Sequence, residues 1–186
     1  MWPEGYNKPG ICDTKVFYAS PGTVLTDSWQ TWNKPSGITM VFITIIGSGG
    51  GGGKGAGGAD TTAPGGGACG GITHLLFPSF VLPNTLYIRP GQGGIGASVF
   101  GNGATGTNTY VSVAPLTTTE NVILNQNGGG GGTTTGGSSV GGAVFGPLSG
   151  LAVWSTKQSG SGTIGANPLA PDTPVYGVWV EAKRKQ

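Results

Sequence analysis

His74 is the only histidine in the chain, and the seven acidic residues, Glu4, Asp13, Asp27, Asp60, Glu120, Asp172 and Glu181, stand singly. Acid–base catalysis needs such groups brought together, and a lone histidine without a carboxylate or cysteine motif is a structural or solvated residue. The scatter of acids offers no paired spacing for glycoside hydrolysis or for a metal cage. Cys12 and Cys69 belong to no CxxC or Cys/His pattern, and their reading is two buried thiols rather than a disulfide. The expectation is a protein that is not an enzyme, with no cofactor and no bound metal.

Two glycine motifs suggest phosphate chemistry and lack its context. Gly47-Ser48-Gly49-Gly50-Gly51-Gly52 satisfies GxGxxG and follows an apolar strand. A dinucleotide fingerprint also needs a helix whose N-terminus meets the pyrophosphate, and here the chain continues as glycine and alanine. Lys54 follows Gly53 as in a P-loop, but Ser48 occupies the first glycine position and Gly55 the Ser/Thr position. In a chain with 40 glycines among 186 residues, chance matches of this kind are expected.

What those glycines adjoin is more informative. Residues 40–46, Met-Val-Phe-Ile-Thr-Ile-Ile, read as a core strand, since β-branched and aromatic residues fit a pleated, half-buried surface. Glycine tracts follow at 47–58 and 65–71, and another pure run occupies 128–132. Ordering glycine has a large backbone entropy cost, so an ordered tract must gain from close approach of bare main chains. Extended or polyproline-II-like segments meet this condition if neighbouring backbones, or sister subunits, satisfy their polar groups. Gly51 and Gly130 are therefore candidate contact positions within or between subunits.

Other strands are expected at 15–19, 29–32, 72–77, 86–89, 109–113, 121–124, 150–154 and 175–182. Residues 29–32, the turn Lys34-Pro35-Ser36-Gly37 and the core strand read as a hairpin. No segment holds apolar spacing of 3.6 over three turns. The fold class is all-β, a sandwich or jelly-roll-like domain with long ordered glycine-rich insertions leaving one end. Residues 1–28 read as a Pro- and aromatic-containing arm, and 29–186 as the glycine-rich β domain.

Charged residues make up 9% of the chain, against about 25% in ordinary soluble domains, which fits a surface shared with neighbours. The net charge of +2 does not point to nucleic acid, and no apolar run is long enough to span a membrane. Trp2 and Tyr6 in the arm suit insertion into a partner's pocket or packing on their own domain. Lys183, Arg184 and Lys185 read as a solvated basic tail or as a peg for an acidic neighbour.

Five features occur in order: Trp32-x-x-Pro35-x-Gly37, the strand at 40–46, the glycine run from Gly47, Leu82-Pro83-x-x-Leu86-Tyr87-Ile88, and Pro90-Gly91-x-Gly93-Gly94. This succession, over about residues 29–113, resembles the glycine-rich domain of tailed-bacteriophage virion proteins found in tail fibres and capsid-associated proteins. The resemblance implies a β-rich, often trimeric virion component without enzymatic activity. These 186 residues hold no long shaft of the kind a fibre has, so a fibre is not the first expectation. The expected function is a phage structural protein located in the virion, a capsid decoration (cement) protein forming a homotrimer on the major capsid protein. The alternative is a tail-fibre or spike-tip module that binds a host surface glycan or protein. A secreted or ice-binding glycine-rich protein lacks support from a signal peptide or a triplet repeat.

Overall fold

The computed structural model describes residues 12–19, 29–55, 64–135, 143–158 and 177–184. Among these residues ten strands form two antiparallel five-stranded sheets. The first sheet has the order β1 (Cys12–Tyr18), β10 (Gly177–Arg184), β3 (Ile38–Ile46), β4 (Ile72–Pro78), β9 (Trp154–Gln158). The second runs β2 (Gln30–Asn33), β5 (Thr85–Arg89), β6 (Thr109–Ser112), β7 (Val122–Gln126), β8 (Ala143–Phe145). The all-β expectation holds, and β1 makes part of the expected arm an edge strand of the first sheet.

Alternation along the strands explains how the sheets meet. Val41, Ile43 and Ile45 of β3 are fully buried, while Phe42, Thr44 and Ile46 between them lie on the outer face and are only half-buried. Leu75 and Phe77 of β4 and Val180 of β10 extend the inward face. Trp32, Leu86, Ile88, Val111, Ile123 and Leu124 oppose them from the second sheet and complete one core. Each such side chain contributes about 1.5–3 kcal/mol by leaving water. His74 lies on β4 facing away from Leu75, as its position in the alternation requires.

The expected hairpin is not formed. Trp32 pairs with Leu86 in the second sheet, whereas β3 pairs with β4 and β10 in the first. The turn at 34–37 is thus a crossing between sheets. Gly37 carries it with φ of 76°, which a side chain would disfavour. Lys34 fastens the crossing by donating from Nζ to the carbonyls of Ser79 (2.9 Å) and Leu82 (2.6 Å).

A second correction concerns residues 150–154. Pro147–Leu151 form a 3-10 turn and the strand starts at Trp154, because Pro147 suits the first turn of a helix and breaks a ladder. β8 is not among the expected strands, because Ala-Val-Phe is too short to carry a pattern of its own.

Candidate functional site

The glycine tracts all leave the same end of the sandwich, where β3, β5 and β7 finish and β4 and β6 begin. Five extended segments, 47–54, 65–71, 92–97, 101–107 and 128–133, are joined there by main-chain hydrogen bonds. The first donates to the second from Gly47 to Gly71 (2.9 Å), Gly50 to Ala68 (2.8 Å) and Gly53 to Gly65 (2.9 Å). Partners therefore recur every third residue. A β ladder would repeat every second one, and three residues per turn is the period of the polyproline-II helix.

Segment 47–54 is the axis of the bundle. Gly51 and Lys54 donate to Ala104 and Gly101 of the fourth segment. The carbonyls of Gly49 and Gly52 accept from Gly94 and Ala97 of the third, and those of Ser48 and Gly51 from Gly129 and Gly132 of the fifth. Outer segments also bond to one another, as in Ala68 to Gly130, Gly103 to Gly132 and Ala104 to Ile95. Residue 51 must be glycine because a Cβ there would fall on the Ile95 carbonyl. The same holds for Gly132, whose Cβ would meet the Gly65 carbonyl. Gly130 is buried, and its carbonyl lies where a Cβ on Gly50 would stand.

Polar side chains splice the bundle to the sandwich. Four of the five buried polar residues among those described, Ser48, Thr73, Thr109 and Gln126, lie at this seam. Ser48 donates from Oγ to the Thr107 carbonyl at 2.6 Å, and Thr109 donates from Oγ1 to the Ile46 carbonyl at 3.1 Å. The Gly91 amide in turn donates to Thr109 Oγ1 at 2.9 Å. These bonds fix where strand ends and three-residue period begins.

Eight residues at about 3.1 Å each carry the axis roughly 25 Å beyond Ile46. At that distal end Lys54 Nζ donates to the Ser98 carbonyl at 2.7 Å, and the Thr134 amide donates to Asn102 Oδ1 at 3.0 Å. Between the third and fourth segments the turn exposes two apolar side chains, Val99 (73%) and Phe100 (62%), while Ile95 (76%) is exposed on the third segment itself, at the level of Gly51. Two large apolar groups side by side on a solvent-exposed turn make it a candidate contact position. Composition alone hid them, because their neighbours are glycine, alanine and serine.

Of the residues singled out in the sequence, the fold brings Gly51 and Gly130 into one bundle. Lys183 and Arg184 belong to β10, paired with β3, so the basic run starts inside the sheet. Trp2, Tyr6 and Lys185 lie outside the described residues. The expectation of two buried thiols fails for Cys69, which is exposed. In a three-residue repeat one position faces the bundle and the next turns outward, so Ala68 is buried and Cys69 is not. The side chain of Cys12 lies outside the described ones. No group of three or more His, Cys, Asp or Glu converges among the described residues.

The profile of a glycine-rich domain family matches residues 23–177. The chain belongs to this glycine-rich domain family. The matched region takes in the crossing turn, both sheets except β1 and most of β10, and all five segments of the bundle. No curated protein matches the chain.

Proposed function

We propose that this glycine-rich domain is a non-enzymatic module of a tailed-bacteriophage virion, a stiff head at a tail-fibre or spike tip that presents a host-recognition surface. The virion origin rests on the order of sequence motifs from Trp32 to Gly94. The role rests on one observation: Val99 and Phe100 are exposed at the far end of a bundle whose own backbone bonds hold it together. A scaffold satisfied within one chain leaves its end available to a partner on the host surface, a glycan or a protein. Purified protein added to host cells should bind them and compete with phage adsorption. Absence of binding, together with abundant copies located on the capsid shell by electron microscopy, would overturn the reading.

A second reading, the capsid decoration protein assembling as a homotrimer, is favoured by the outer face of the first sheet. There Phe42, His74 and Trp154 form a cluster of stacked rings, with Phe42 centred 5.7 Å from His74 and 6.0 Å from Trp154, and Trp154, Val16 and Tyr18 are exposed. Such a face suits burial against the major capsid protein or a sister subunit. Sedimentation equilibrium separates the two, since this reading requires a trimer whose formation a Trp154→Ser change weakens.

A further inference from the structure

The outer face of the second sheet carries a different arrangement from the distal turn. Register places Arg89 of β5 opposite Tyr110 of β6, and Tyr110 opposite Asn125 of β7. Their neighbours Ile88, Val111 and Leu124 are fully buried, so this row points outward. Trp29, just ahead of β2, closes the row on the other side. The Arg89 guanidinium carbon lies 5.3 Å from the Trp29 ring centroid and 4.5 Å from that of Tyr110. The two rings are 6.5 Å apart and tilted by 51°, a wedge that holds the guanidinium plane.

Among the described residues this is a cation held between two rings without an anion. Among the described residues no carboxylate pairs with Arg89, and its Nε is buried without a hydrogen-bond partner. Glu120 precedes β7, at the end away from this row. Ring faces stabilise a guanidinium only modestly and leave its fork of terminal N–H donors unused. That fork matches a carboxylate in two-point geometry.

We propose that Arg89, with its flanking rings, is a binding site for the carboxylate of an acidic sugar. The neighbours argue for a sugar rather than an acidic peptide. Asn125 and Asn127 are linked at 3.2 Å, and Asn108 donates to the Tyr110 hydroxyl at 3.2 Å. Thr31 and Tyr87 pair in the adjacent row. Planar amides and hydroxyls beside aromatic rings match the vicinal hydroxyls and flat C–H face of a pyranose. The site is independent of the distal turn, so either can fail alone.

The test is a titration of the intact chain with methyl glucuronide and, separately, methyl glucoside, followed by ligand-observed NMR. Glucuronide is expected to bind and glucoside to bind weakly or not at all, with the preference shrinking as salt rises. Arg89→Gln is expected to weaken glucuronide binding roughly tenfold, the loss of one charge-assisted pair. Arg89→Lys keeps the charge without the fork and should fall between. Asn125→Asp places a negative charge on the same row while sparing the ring clamp, and should also weaken glucuronide and narrow its preference over glucoside. Thermal melts confirm that each variant folds. Equal binding of the two sugars, no glucuronide signal, or glucuronide affinity unchanged in both Arg89→Gln and Asn125→Asp overturns the assignment. Loss of host-cell binding in a distal-turn variant that still takes glucuronide would separate this site from the recognition surface.

Discussion

Thr73 of the first sheet donates a hydrogen bond of 2.8 Å to the side-chain carbonyl of Gln126 on the second, at the level where strands give way to the glycine bundle. Both residues are buried, and the Gln126 Nε2 has no partner. The two sheets are therefore tied at their bundle end by a polar contact that excludes water. Thr73→Val strands the Gln126 carbonyl and should cost about 1–3 kcal/mol. Urea denaturation checks this. The Thr73→Val, Gln126→Leu pair should lose less than the sum of the single changes, because both polar partners leave together.

Glycine at the axis is required by space. Gly51→Val places branched atoms on the Ile95 carbonyl, a main-chain group that cannot swing away. Overpacking of this kind should cost about 3 kcal/mol or more, a fall of roughly 6–12 °C in Tm. Gly150 has open space around it, so Gly150→Ala should change stability by under about 0.5 kcal/mol. Differential scanning calorimetry of the two variants compares a packed glycine with a free one.

Recognition at the distal turn predicts a separation of stability from attachment. Val99→Ser and Phe100→Ser alter side chains already in water, so melting should be unchanged within about 0.5 kcal/mol. Binding to host cells should fall sharply in the double variant. Full attachment after both changes would mean that this turn is not the contact surface.

Much of the sandwich was legible because strand alternation is written in apolar side chains. Val41, Ile43 and Ile45 announce one face of β3, and Leu86 and Ile88 one face of β5. The crossing at 34–37 was misread because a turn motif fixes a change of direction and not which sheet receives the next strand. Only the burial of Trp32 against Leu86 and its neighbours decides that. The bundle itself was half legible. Close approach of bare backbones follows from composition, but the three-residue register does not, since glycine marks inner and outer positions alike. Ala68 and Cys69 are among the few residues in the tracts whose side chains report the phase, and Cys69 was assigned to the wrong side. Arg89, Trp29 and Tyr110 are far apart in sequence, so their convergence needed the pairing of β5 with β6.

Amide hydrogen exchange on dilute protein tests the central claim most directly: the glycine tracts are structure held by their own chain. The amides of Gly47, Gly50, Gly51 and Gly53 each donate to a carbonyl of another segment. They should exchange slowly, with rates that do not change on dilution to a sedimentation-proven monomer. Exchange at the pace of an unstructured peptide at these four positions would contradict the account, as would protection that develops only when copies associate.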